Sequence, residues 1–266
     1  MPARRGLFLA PFDVLADPRL VGDLAAEAEA AGWDGLFLWD HMLYSEPVRA
    51  IADPWICLAA IALRTERLLM GPMVTPLPRR RPHVLARQAA SLDVLSRGRL
   101  VLGFGIGDDW GAGEFSRFRD EADPKVRGRM LDEGLDLLTT LLSGARVHHD
   151  GEHYAATDVT FLPSPGRPIP VWVAGRHPNA APLRRAARYD GFFPIGVPEP
   201  AAVGGILESV AALRASSPAP YDVVIDLQPG VDPAPWADAG ATWVLTRVGP
   251  YELDLEAVRR LIDAGP

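Results

Sequence analysis

The feature that most constrains this fold is an eightfold alternation of short apolar runs with helical patterns along the whole chain. The runs are Leu7–Ala10, Gly35–Trp39, Leu68–Val74, Leu100–Phe104, Pro170–Ala174, Gly191–Pro194, Asp222–Leu227 and Thr242–Thr246. Runs of this kind read as strands covered on both faces, and a helix between successive strands makes them parallel. Eight such units in 266 residues predict an α/β fold, a closed (β/α)8 TIM barrel rather than an open doubly wound sheet. Residues 1–266 are expected to form one domain, long enough to bury a core without disulfides.

Local signals punctuate the helices. Asp17-Pro18 and Asp53-Pro54 each offer an N-cap followed by proline at the first helical position, and Arg81-Pro82 places its proline without a good cap. The first helix carries Leu20, Val21, Leu24, Ala25 and Ala28 on one face and stops at Gly32. Further helices are predicted near Val84–Leu95, Lys125–Leu142, Asn179–Ala187, Ala201–Arg214, Pro233–Ala239 and Leu255–Ala264. One segment breaks the rhythm. Val147–His149 and His153–Ala156 flank Asp150-Gly151, which predicts a small hairpin excursion between the fourth helix and the fifth strand.

Composition excludes several classes. Cys57 is the only cysteine and lies in an apolar run, so it reads as a buried thiol in a reducing, cytoplasmic setting. A net charge of −7 without a large basic face argues against nucleic acid. No apolar run approaches the ~20 residues of a membrane span. Arg4-Arg5 faintly resembles a twin-arginine signal, but Pro11 and Asp13 cut the apolar run short, and a first barrel strand fits better.

In barrels of this type the reactive groups follow the C-terminal ends of the strands. The second strand ends in Trp39-Asp40-His41, an aromatic, a carboxylate and an imidazole. A carboxylate beside an imidazole can orient it for proton transfer. Gly103-Phe104-Gly105-Ile106-Gly107-Asp108 fails the dinucleotide spacing, because no glycine stands in the last position. Its glycines either let the chain turn tightly or leave room for a flat ring faced by Asp108. Arg79-Arg80-Arg81 reads as a solvated face, or as a source of one cation for an anionic ligand. His148, His149 and His153 read as a solvated hairpin rather than a metal site, since adjacent strand residues face opposite ways. A strand ending at Gly175-Arg176 before a helix near Asn179 favours phosphate binding over a plain turn.

Landmarks that run almost end to end carry a family resemblance. They include Trp39-Asp40-His41, Gly71-Pro72-Met73-Val74-Thr75-Pro76, Ala90-Ser91-Leu92-Asp93-Val94-Leu95-Ser96-Arg97-Gly98-Arg99, Leu102-Gly103-Phe104-Gly105, Gly151-Glu152-His153-Tyr154, Ile169-Pro170-Val171-Trp172-Val173-Ala174-Gly175 and Ala186-Ala187-Arg188-Tyr189-Asp190-Gly191. In order and spacing they resemble the bacterial luciferase-like monooxygenase superfamily, and within it the shorter flavin- or coenzyme F420-dependent oxidoreductases.

The resemblance implies F420 or FMN at the C-terminal mouth, with hydride moved to or from a small organic substrate, or oxygen activated if the cofactor is flavin. It implies His41 as acid or base, Asp40 as its orienter or a cofactor contact, and Asp108 as a second acidic group. It further implies a non-prolyl cis bond at Met73-Val74 behind the ring. The cofactor contacts it implies are Trp39, Asp40, Met73, Val74, Thr75, Gly105, Gly107, Gly175, Arg176, His177 and Gly196, with no metal. Members are often homodimers. Two departures stand out. The stretch from Gly196 to Asp222 is short, and Lys125 is the only lysine, so Arg176 or Arg247 replaces the lysines that grip phosphate in some F420 enzymes. The rival readings are a non-catalytic flavin-binding barrel and a metal-dependent hydrolase using Asp40, His41 and Asp108. Substrate contacts are expected from the loops Tyr44–Arg49, Trp110–Arg119 and Val197–Pro200.

Overall fold

The computed structural model describes residues 2–214, 217, 219–251 and 254–266. In chain order the barrel units are β1 (Arg4–Leu9) with α1 (Pro18–Ala30), β2 (Gly35–Leu38) with α2 (Pro54–Arg64), β3 (Leu69–Pro72) and β4 (Thr75–Pro76) with α3 (Pro82–Leu95), and β5 (Leu102–Gly105) with α4 (Pro124–Leu142). An antiparallel pair, β6 (Arg146–Asp150) and β7 (Ala155–Thr160), follows. The rest are β8 (Val171–Arg176) with α5 (Ala180–Ala186), β9 (Gly191–Ile195) with α6 (Ala201–Leu213), β10 (Asp222–Leu227) with α7 (Ala234–Asp238), and β11 (Trp243–Val248) with α8 (Leu255–Asp263).

The main sheet runs β3-β2-β1-β11-β10-β9-β8-β5-β4, with every pairing parallel. It closes where β3 meets the start of the β5 segment. The Met70 N–H donates to the Arg99 carbonyl at 3.1 Å and the Val101 N–H donates to the Met70 carbonyl at 2.9 Å. β3 and β4 are one barrel stave interrupted at Met73-Val74, whose peptide bond is cis, as the family resemblance implied. The nine segments of the sheet therefore form the eight staves of a (β/α)8 barrel.

The proline signals act as read. Asp17 accepts from the Arg19 N–H and Asp53 from the Trp55 and Ile56 N–H groups, while Arg81 makes no side-chain cap. Asp123-Pro124 carries the same signal and caps α4, one residue ahead of the predicted start. The hairpin turn is wider than Asp150-Gly151 suggested: Asp150 pairs with Ala155, and the Gly151 N–H donates to the Tyr154 carbonyl at 3.0 Å. Glu133 on α4 explains the width. Its carboxylate accepts from the His153 and Tyr154 N–H groups at 2.9 and 2.8 Å and meets His149 Nε2 at 3.0 Å. His148 stays exposed.

Strand parity sorts the core into two layers. Leu7, Leu9, Leu36 and Leu38 face outward and pack with residues of the helices. Phe8, Phe37, Val101, Trp172, Val224, Trp243 and Leu245 face inward and fill the barrel. Phe37, Trp172 and Trp243 pack tilted or edge-to-face, with ring centroids 5.3–5.5 Å apart. Glycine makes room for them: a Cβ on Gly191 would lie 2.4 Å from Trp172 Cδ1. Trp33 and Trp55 are buried packing residues. Cys57 is fully buried, and that burial pushes its thiol up to about 12, so it is unreactive at neutral pH. Among the described residues no helix is long and apolar enough to cross a membrane.

Candidate active site

A cavity of about 420 Å³ opens at the C-terminal mouth of the barrel. Its apolar wall comes from the inward-facing strand residues Phe8, Ala174 and Phe193 and from Met73 and Val74 at the break between β3 and β4. Trp39, Asp40, His41, Gly105, Gly107, Asp108, Gly175 and Arg176 also line it, so the structure brings most of the sequence-predicted site together. Three predicted contacts lie elsewhere. Thr75 is fully buried behind the wall, where its hydroxyl donates to Asp40 at 2.7 Å and faces Trp55 Nε1 at 3.3 Å. His177 lines an adjacent groove of about 370 Å³ between α5 and α6, joined to the cavity at Asn179. Gly196 is exposed beyond β9 and lines neither space.

Asp40 is the electrostatic anchor of the rim. It is 2 % exposed, and two guanidinium groups converge on it. Arg79 Nη2 lies 2.8 Å from Oδ1, and Arg80 Nη2 lies 3.0 and 2.9 Å from the two oxygens. Burial alone would raise the Asp40 pKa. The charges of Arg80 and Arg79 and the Thr75 hydroxyl outweigh it and hold the carboxyl below its usual range. The arginine run therefore departs from the solvated reading: Arg79 and Arg80 meet an internal anion, and only Arg81 is exposed. With its oxygens committed to two guanidiniums and a hydroxyl, Asp40 does not orient His41.

That task belongs to a residue the sequence reading missed. Glu114, in the loop after β5, is 3 % exposed and its Oε2 lies 2.8 Å from His41 Nδ1. Its Oε1 accepts from Arg79 Nη1 at 3.0 Å and from the Met42 and Leu43 N–H groups. Burial pushes the Glu114 carboxyl up, but the hydrogen bond from His41 and the charges of His41 and Arg79 bring it below the usual range. An ionised carboxylate only accepts, so Nδ1 carries the proton, and in the neutral form of the ring Nε2 holds the free lone pair. Phe12, Trp39 and Tyr44 surround the imidazole, with ring centroids 5.9, 5.8 and 5.1 Å away.

Asp108 and Arg176 form a half-exposed pair at the rim, Oδ2 to Nη2 3.0 Å. Of the glycines before Asp108, Gly107 serves the tight turn and Gly105 a close approach of the chain to Val74. Gly107 has φ +73° and a Cβ there would lie 2.6 Å from the Phe115 ring, whereas a Cβ on Gly105 would press on Val74 at the cavity wall. A second missed residue is Asp226 on β10, paired with Arg247 at 3.0 Å. Burial raises its pKa, and Arg247 opposes the rise. Its signal was present: Asp226 has the parity of inward-facing Val224, so a charge in that register points into the barrel.

Such a cavity is large enough for a planar tricyclic ring, and its few polar groups stand at the rim. The model for luciferase-like monooxygenases matches residues 7–261. The chain is 37% identical over 191 residues to an F420-dependent glucose-6-phosphate dehydrogenase of Beutenbergia cavernae, covering 69% of this chain and 52% of that protein. It is 34% identical over 183 residues to the enzyme of the same name from Nakamurella multipartita, covering 66% and 51%. The chain thus spans about half the length of the curated relatives it matches. In structure it is similar to an F420-dependent secondary alcohol dehydrogenase in complex with an F420-acetone adduct, with a TM-score of 0.83, 16% identity and coverage of 99% and 98%. It is also similar to the oxygenating constituent of the 3,6-diketocamphane monooxygenase of Pseudomonas putida in complex with FMN, with a TM-score of 0.71, 20% identity and coverage of 86% and 67%. The chain belongs to the luciferase-like monooxygenase family.

Proposed function

We propose that the protein is an oxidoreductase that binds F420, or alternatively FMN, in the barrel-mouth cavity and exchanges hydride with a small organic substrate. The observation that carries this reading is the His41–Glu114 pair opening onto an apolar cavity walled by Met73 and Val74. The relatives above 30% identity bear F420-dependent names, which favours the deazaflavin. When bound, such a cofactor supplies a hydride acceptor or donor. The chain supplies placement, proton transfer and shelter from water.

Met73, Val74, Phe193 and Ala174 offer flat apolar surface for the ring. Arg176 at the rim, and the groove that begins at Asn179 and His177, suit the charged tail. His41 takes or gives the substrate proton at Nε2, and Glu114 holds the ring and stabilises the imidazolium when it forms. Titration of the purified protein with F420 and with FMN tests this. Saturable F420 binding, tighter than FMN, is expected. Binding of neither sinks the reading, and turnover by the loaded protein distinguishes an enzyme from a barrel that only binds.

A further inference from the structure

Two arginines and two carboxylates are packed together behind the imidazole. Arg79, Asp40 and Glu114 are buried and Arg80 nearly so. Their charges cancel, so His41 is the member of this cluster whose protonation changes its net charge. The other charged residues that line the cavity are paired: Asp108 with Arg176, Asp226 with Arg247, and Arg185 with Asp132. Asp13, next to Phe12, turns to the Arg49 and Ala50 N–H groups. Tyr44 packs against the imidazole, and burial pushes its phenol up to about 12, so it stays neutral.

Arg79 is redundant at one end and distinctive at the other. Asp40 already meets Arg80 Nη2 through both oxygens and accepts from the Thr75 hydroxyl. Arg79 Nη2 adds a further contact there at 2.8 Å. Its Nη1, however, reaches Glu114 Oε1 at 3.0 Å, and among the described residues Arg79 is the one arginine paired with Glu114. The Met42 and Leu43 N–H groups donate to the same oxygen. Three donors thus hold Oε1 and turn Oε2 to His41 Nδ1. A carboxylate with no other cation would favour the imidazolium and keep the Nε2 lone pair occupied by a proton. A cation on the far oxygen of the same carboxylate opposes that pull.

We propose that Arg79 is a positioning residue that acts through Glu114: it offsets the hold of the carboxylate on the imidazolium, so that His41 sheds its Nε2 proton at a lower pH than an unshared Glu114 would allow. The use of His41 as a base rests on the cofactor reading above, whereas the titration of its ring does not.

The test is that titration. The Cε1–H signals of the six histidines are followed by NMR against pH in the full chain without added cofactor, and the His41→Ala spectrum identifies the one that belongs to His41. Arg79→Gln should raise the His41 midpoint by about one pH unit. Arg79→Lys keeps the charge and should recover about half or more of that shift. Arg80→Gln strips a cation from Asp40 but not from Glu114, and should move the midpoint by less than about 0.3 unit. Where Arg79→Gln leaves Asp40 too bare to fold, Arg79→Gln with Asp40→Asn removes the cation together with its buried anion, and should give the same rise. A midpoint that does not rise when Arg79 is replaced by Gln, that Arg79→Lys fails to bring back, or that rises as far in Arg80→Gln overturns the proposal. A chain that binds neither F420 nor FMN sinks the cofactor reading alone, because the titration is read without either.

Discussion

Glu114 Oε2 lies 2.8 Å from His41 Nδ1, although 73 residues separate the two in the chain. The contact fixes both the tautomer and the position of the imidazole, and Arg79 ties the same carboxylate to Asp40. A continuous polar chain, Asp40–Arg79–Glu114–His41, thus runs along one side of the cavity mouth.

Glu114→Gln keeps the shape and loses the charge. An amide can donate to Nδ1 and favour the wrong tautomer, so kcat should fall about 100-fold or more with a smaller change in KM. Amide hydrogen exchange at Met42 and Leu43 should rise only modestly, because Gln still accepts from them. An unchanged kcat removes Glu114 from the proton path.

His41→Ala should abolish turnover, by about 10²–10⁴-fold, while cofactor titration curves persist. Affinity is expected to rest on the apolar wall and the rim charges rather than on the imidazole. Joint loss of binding and turnover would reassign His41 to cofactor placement.

Asp40→Asn should destabilise the fold by about 3–5 kcal/mol at neutral pH, because Arg79 and Arg80 are left without their buried counter-charge. The folded-state pKa of Asp40 lies below its ordinary value, so its stabilisation is present above the usual carboxylate range and is lost as the pH falls through the folded value. The gap between wild type and variant in urea unfolding should therefore be widest near neutrality and should narrow in acid. A gap that is flat with pH would contradict the ionised assignment.

Arg99 should prove among the most sensitive structural positions. Its buried guanidinium donates to the Ser96, Leu68, Ala62 and Thr65 carbonyls and to the Thr65 hydroxyl at 2.6–3.0 Å, joining the ends of α2 and α3 to the start of β3. An ammonium has three donors and cannot copy that fork. Arg99→Lys should cost about 3 kcal/mol or more, with a fall in Tm of roughly 6 °C or more. A Tm within a degree of wild type would show that the fork is dispensable.

Arg176→Ala should behave in the opposite way. The side chain is 64% exposed and its pair with Asp108 is open to solvent, so stability should change by less than about 0.5 kcal/mol. The Kd for cofactor should rise about tenfold or more as a charge-assisted contact is lost. Superimposable titration curves would place the tail elsewhere.

The barrel was legible because its signals are local: strand runs, Asp-Pro caps and helix-ending glycines each act within a few residues. The aromatic-acid-base tip of β2 was legible for the same reason. What escaped was the pairing. Nothing near Arg79-Arg80 in sequence says that Asp40 is buried beneath them, and nothing near Glu114 points to His41. Adjacency in sequence suggested Asp40 as the orienter of its neighbour, but the desolvation of Asp40 had to be balanced first, and that claimed its oxygens. Thr75 and Gly196 were placed by motif alone; burial puts one behind the wall, and the end of β9 puts the other outside it.

Phe37 and Trp172 sit two residues before the cavity residues Trp39 and Ala174, and with Trp243 they close the barrel beneath the cavity. The cavity therefore has an aromatic floor, and exchange takes place on the rim side, where Asp108 and Arg176 stand. Nothing can be displaced from below. If cofactor and substrate both enter from the rim side, saturating substrate should slow cofactor release measured by stopped-flow displacement.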